Sequence, residues 1–199
     1  DNNGNIKDIF ETGALRYGIS SGRIEGEPVR VFFSSPTKGK QNTSAAYSSF
    51  TSSPVFSDNA LYHTDSFQLS ISSLTPGARI YYTTDGSKPT TDSSLYSGPL
   101  TISKNTPVKA IAVGEGMLPS DTAAATFLFE EPHTLPVVSL TIDSVSFEEV
   151  YSVTDRWEKV EREGFCEYYE ADGLLGTQFP CGLRVNGAST LTMRQKSLS

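Results

Sequence analysis

Apolar residues recur at every second position in three separate stretches of this chain, Phe67-Leu69-Ile71, Ala78-Ile80-Tyr82 and Val108-Ala110-Ala112. A period of two sends alternate side chains to opposite faces of an extended backbone, so each stretch reads as a strand with one buried face. Turn chemistry separates them: Thr75-Pro76-Gly77 fits a tight turn, Asp85-Gly86 with Pro89 opens a longer loop, and Ser97-Gly98-Pro99 precedes Leu100-Thr101-Ile102. Thr122 to Phe129 supplies a closing strand, and Glu130-Glu131-Pro132 ends the pattern. Short strands at this spacing predict a two-sheet sandwich of the immunoglobulin or fibronectin-III kind over residues 54–130. Because pattern and turns agree, that segment is expected to fold alone, with Gly77 and Gly98 as candidates for positive φ.

The flanks carry β character too, which makes the fold class all-β with additional β segments at both ends of the sandwich. From Ile6 to Asn42, short apolar runs (Ile9-Phe10, Val29 to Phe33) alternate with Gly13, Gly18, Gly22 and Gly26. Gln41 to Ser53 is rich in Ser, Thr and Ala, and residues 46–53 read as a linker between a first block, 1–45, and the sandwich. A third block, 135–199, opens with the β-branched run Leu135 to Ile142. A short helix is expected next at Ser146 to Val150, with Ser146 as N-cap and Glu149 three residues on. Phe165 to Glu170 and Cys181 to Asn186 then flank Ala171-Asp172-Gly173, the ingredients of a hairpin with a loop wider than two residues.

Composition narrows the function classes. The net charge is −7, and the acidity is regional: residues 121–172 hold 13 acids against Arg156, Lys159 and Arg162, whereas residues 1–120 balance at ten and ten. Nucleic acid is a poor partner for a chain with no clustered Lys and Arg. No run of about 18 apolar residues occurs, so no transmembrane helix is expected. Two cysteines with two scattered histidines, His63 and His133, do not make a structural zinc site. Neither a Gly-x-Ser-x-Gly elbow nor a Walker-type loop is present. The carboxylates Glu158, Glu161, Glu163, Glu167 and Glu170 read as a solvated acidic surface rather than as a glycosidase pair, because nothing in the sequence holds two of them across a cleft.

Three stretches also resemble known families. Ile80-Tyr81-Tyr82-Thr83-Thr84-Asp85-Gly86-Ser87-Lys88-Pro89-Thr90, Leu95-Tyr96-Ser97-Gly98-Pro99-Leu100 and Val108-Lys109-Ala110-Ile111-Ala112 resemble the chitobiase/β-hexosaminidase C-terminal-type domain. That resemblance implies an immunoglobulin-like sandwich in secreted or surface-anchored bacterial proteins. Leu135 to Leu140, Glu167 to Gly173, Gly182 to Ser189 and Gln195-Lys196-Ser197-Leu198 look like the opening of a CotH-type, spore-coat-kinase-like domain. Tyr17 to Arg23 with Ser35 to Asn42 resembles the end of a lamin-tail domain.

These readings imply a non-catalytic structural or adhesive module of an extracellular or cell-surface multidomain protein. Its partners would be neighbouring domains of the same polypeptide, or a surface protein or glycan. No cofactor is expected of the chain itself. The alternative, the amino-terminal part of a CotH-like kinase, would bring ATP and a divalent metal, with Lys196 and Arg194 meeting nucleotide phosphate as positive charges. A second alternative is carbohydrate binding through a platform of Tyr81, Tyr82 and Tyr96, although alternation puts Tyr81 and Tyr82 on opposite faces. Asp85 and Asp92, with Ser87, offer oxygen to Ca²⁺ but fall short of the six to eight ligands that ion takes. The hairpin and the extracellular character of the resembling modules together suggest a disulfide between Cys166 and Cys181, provided the loop centres near Gly173 and Leu174.

Overall fold

A computed structural model describes residues 6, 9–13, 15–16, 18–24, 27–132, 134–155, 157–187, 191 and 197–198. The first strands, β1 (Ser20–Arg23), β2 (Arg30–Phe33) and β3 (Ala46–Tyr47), form a three-stranded antiparallel sheet in the order β1-β2-β3. The expected linker at 46–53 is corrected here, because its residues are built into the fold. Ala46–Tyr47 pairs with Phe32–Phe33, Phe50 bridges Leu118, and Thr51 is buried. The Thr51 hydroxyl donates to the Leu118 carbonyl at 2.8 Å and accepts from the Gly114 amide at 3.0 Å. A Ser/Thr-rich stretch thus docks on the 114–118 turn by satisfying its backbone.

The sandwich follows. One layer is a four-stranded sheet in the order β11-β10-β7-β8, made by β7 (Arg79–Thr83), β8 (Ser94–Leu95), β10 (Thr106–Val113) and β11 (Ala123–Phe127). The other contains two short pairs, β4 (Val55–Phe56) with β6 (Ile71–Ser72) and β5 (Phe67–Leu69) with β9 (Leu100–Ile102). Leu69, Ile71, Ile80, Ile102, Val108, Ala110, Ala112, Ala125 and Phe127 form the core between the layers, with Tyr82, Tyr96 and Phe67 packed against it. The register places Ala110 opposite Tyr82 and Ala112 opposite Ile80, which keeps the small residues of β10 beside the large ones of β7. Gly77 adopts φ +70 as its turn requires, whereas Gly98 is not among the positive-φ glycines, and that expectation is corrected.

The third block contributes β12 (Val137–Thr141), α1 (Ser144–Tyr151), β13 (Arg162–Tyr169) and β14 (Leu175–Leu183), then the short pair β15 (Val185–Asn186) and β16 (Ser197–Leu198). Its sheet runs β12-β13-β14, all antiparallel. The helix begins three residues earlier than the sequence suggests. Asp143, not Ser146, is the N-cap, and its carboxylate accepts from the Ser146 amide at 2.9 Å, which together hold the carboxyl below its ordinary pKa. The β13–β14 hairpin turns through Glu170–Leu174, where Gly173 takes φ +79 and the Leu61 amide donates to its carbonyl at 2.9 Å.

The two large sheets pack against each other. Of the residues of β7, β10 and β11 that point away from the sandwich core, the central ones, Tyr81, Lys109, Ile111, Ala124 and Thr126, are buried, whereas Arg79 at the start of β7 is exposed. Every residue of β11 is buried, the pattern of a strand covered on both faces. Hydrogen bonds from Lys109, Ala124 and Thr126 run to Thr141, Gln178 and Glu167 of the third block.

Candidate functional site

The densest set of buried polar side chains among the described residues lies at this sheet-on-sheet contact. Glu167 on β13 is fully buried, which corrects its reading as part of a solvated acidic surface; Glu158, Glu161, Glu163 and Glu170 are exposed. Alternation explains the difference. Phe165, Glu167 and Tyr169 share the face of β13 that meets the sandwich, so the carboxylate is carried inward with two aromatic rings.

Glu167 is satisfied there. Its Oε2 accepts from the Thr126 hydroxyl at 2.7 Å and from the Thr141 hydroxyl at 3.3 Å, and its Oε1 accepts from the Tyr169 phenol at 2.7 Å. The phenol oxygen in turn accepts from the Thr126 backbone amide at 2.8 Å. Burial, with Glu167 second, holds the Tyr169 phenol above its ordinary range, so it remains a donor. The Gln178 side-chain oxygen accepts from the Ala124 amide at 2.7 Å. Thr126 and Ala124 lie on β11, at the edge of its sheet, and these side chains close an edge that no further strand of that sheet covers.

Lys109 forms the second part. Its amine is buried, donating to the Gly86 carbonyl at 2.7 Å and the Thr141 carbonyl at 3.2 Å, one from each side of the contact. Burial lowers its pKa, against the opposing pull of Glu167, Glu163 and Asp143. Gly86 (φ +82) fits so closely that a Cβ would stand 2.6 Å from the Ile142 carbonyl oxygen. Beside it the exposed Lys88 pairs with Glu163 at 2.8 Å.

A cavity of about 770 Å³ opens beside this contact, between Phe50, Leu118, Lys109 and Phe165. Charges on its wall are committed to one another or to backbone: Arg16 pairs with Asp121 at 2.9 Å, Lys88 with Glu163, and Asp143 caps α1. Among the described residues that line it, no nucleophile, base and charge stabiliser are brought to one point.

The residues singled out in the sequence fall elsewhere. Tyr81 is buried on the outer face of β7, while Tyr82 and Tyr96 pack against the sandwich core with their rings edge to face at 6.5 Å and 83°. The Tyr96 hydroxyl accepts from the Ile71 amide at 3.1 Å. No flat platform is formed by the three, which corrects that expectation. Asp85 directs an oxygen to the amide and hydroxyl of its own loop neighbour Ser87, and these bonds lower its pKa, so the loop is an Asx turn. Asp92 sits in the adjoining Thr90–Ser93 turn. Among the described residues no group of three or more His, Cys, Asp and Glu side chains gathers as metal ligands. His63 stacks on Phe67 with 4.0 Å between ring centroids. Lys196, Arg194 and His133 lie outside the described residues.

Cys166 and Cys181 are free thiols, and the expected bridge is corrected by the register: Cys166 stands opposite Phe179 and Cys181 opposite Gly164. The hairpin turns earlier than the bridge requires, leaving the two cysteines diagonal on one face.

A family model, the chitobiase/beta-hexosaminidase C-terminal domain, matches residues 59–124. That segment is about a third of the 199-residue chain and lies inside the sandwich, ending within β11. It does not reach the stretches that resemble lamin-tail and CotH-type domains. No curated protein and no solved structure matches the chain. An immunoglobulin-like domain of this type fits a non-catalytic module, and no described helix is long and apolar enough to cross a membrane.

Proposed function

We propose that this chain is a non-catalytic structural module of a secreted or cell-surface protein, in which the sandwich holds the block that follows it at a fixed orientation. The observation that carries this reading is the burial of the second face of the four-stranded sheet: Lys109, Thr126 and Ala124 bond directly to β12, β13 and β14. Two domains joined by a linker alone would leave that face in water and move independently. Support for an extracellular location comes from the similarity of residues 59–124 to a domain type that is typically extracellular. The partners in this reading are the neighbouring domains of the same polypeptide.

Paired spin labels test the orientation. With Cys166 and Cys181 replaced by Ser, labels at the exposed positions Lys104 and Thr177 are expected to give one narrow distance distribution. A broad or two-peaked distribution would remove the reading. Incubation with ATP and Mg²⁺ should leave the nucleotide intact, and turnover would favour a phosphotransferase instead.

A further inference from the structure

We infer that the sandwich and the β12-β13-β14 sheet unfold as one cooperative unit, coupled through Thr126, Glu167 and Tyr169, so that neither is an autonomous domain. This rests on the fixed-orientation reading, but the two fail separately: label distances report native geometry, whereas exchange of backbone amides reports how the parts open.

Each side is incomplete without the other. On the sandwich, the outer face carries Tyr81, Ile111 and Ala124, all buried, and the edge strand β11 has the Ala124 and Thr126 amides bonded to Gln178 and Tyr169. Removal of the third block would put an apolar face and an open strand edge into water. On the third block, the inner face presents Ser139, Thr141, Glu167 and Gln178, whose partners include Thr126 and Ala124 of the sandwich. Its outer face leaves Val138, Leu140 and Phe179 exposed. The inner face also carries Phe165 and Tyr169, so the largest buried side chains of the three strands pack toward the sandwich, while the other buried apolar residues of the block, Val150, Val153, Leu183 and Leu191, are few and smaller. The fold therefore shares one interior across the 130–135 boundary that the sequence suggests, and fluctuations that open one sheet open the other.

Hydrogen exchange of the full chain, read by mass spectrometry at increasing urea, decides this. Slowly exchanging amides of Val108–Ala112 and of Phe165–Tyr169 are expected to converge on one opening reaction. In Tyr169→Phe, which strands the Thr126 amide, both sets should accelerate by a common factor of about tenfold. Gln178→Ala, a milder change at the edge strand β14, should accelerate both sets by a smaller common factor and serves if the first variant does not fold. Acceleration confined to Phe165–Tyr169, with Val108–Ala112 unchanged, would overturn the inference. Unchanged exchange in both strands in both variants would overturn it equally.

Discussion

The Thr126 amide donates to the Tyr169 hydroxyl across 2.8 Å, at the open edge of the sandwich's four-stranded sheet, from a residue 43 positions further along the chain. A phenol fills the place of the next strand's carbonyl. Its own hydroxyl donates a hydrogen bond to Glu167, whose other oxygen accepts from the Thr126 hydroxyl. One residue of β11 is therefore held by main chain and side chain at once.

Tyr169→Phe keeps the ring and deletes the oxygen. The Thr126 amide and Glu167 Oε1 would each lose a partner in a site with no water access, since Tyr169 and Glu167 are fully buried. Stranding a buried group costs about 1–3 kcal/mol, more when it is charged. Urea denaturation should show a loss in that range for Tyr169→Phe and a smaller one for Gln178→Ala, whose site is only half-buried. Equal stability of Tyr169→Phe and wild type would show that the network is slack.

The half of the fold that was legible in the residues is the half built on one buried face. Ile80, Val108, Ala110 and Ala112 announce the sandwich core through their period of two, and the core contains them. The second face was hidden because its members look like surface residues: Lys109 alternates outward from that core, and Thr126 is small and polar. In the third block the phase is misleading. Ser139 and Thr141 face inward while Val138 and Leu140 face out, so hydrophobicity points to the wrong side of β12. Glu167 was obscured by four exposed acids nearby, and no local pattern foretells partners 41 residues away. The one available hint was Ala123 to Phe127, a strand without a single charged residue.

Gly86 and Gly77 provide a controlled comparison. Both have positive φ, which costs a residue with a Cβ roughly 1 kcal/mol or more. Nothing lies within 4 Å of a Cβ built on Gly77, but one on Gly86 would meet the Ile142 backbone oxygen at 2.6 Å. Gly77→Ala should thus cost about 1 kcal/mol, and Gly86→Ala clearly more, because the turn must withdraw from the third block. Thermal denaturation that ranks them the other way would deny Gly86 a docking role.

Lys109 predicts a pH dependence. Burial holds its folded-state pKa below the ordinary 10.5, so between those two values the unfolded chain binds more protons than the folded one. Stability contributed by this residue therefore rises with pH across that interval. Lys109→Met retains the apolar stem and removes the titration, so the stability of wild type relative to this variant should increase as pH rises toward the ordinary lysine pKa of 10.5. Tyr169 acts with the opposite sign above about pH 10, where the unfolded phenol ionises first and stability falls. A wild-type advantage that stays flat over the lower interval would show that Lys109 keeps an ordinary pKa.

The cysteines test the hairpin register itself. Cys166 opposes Phe179 and Cys181 opposes Gly164, so the two sulfurs share a face but occupy diagonal positions. Diagonal neighbours across an antiparallel pair lie about 7–8 Å apart, beyond the Cα range of about 4.4–6.8 Å that a disulfide uses. Direct opposition would need a slip of two residues, which would carry Gln178 away from the Ala124 amide and Tyr169 away from its turn. Burial and the nearby Cys166 also raise the Cys181 pKa, which keeps that thiol protonated and slow to react at neutral pH. Alkylation after denaturation without reductant, followed by intact mass, is expected to count two thiols per chain. Reductant should leave the melting temperature unchanged. A bridged species in protein prepared under mild oxidising conditions would mean that the strands pair in the slipped register, and with it the contacts of Gln178 and Glu167 to β11 would fall.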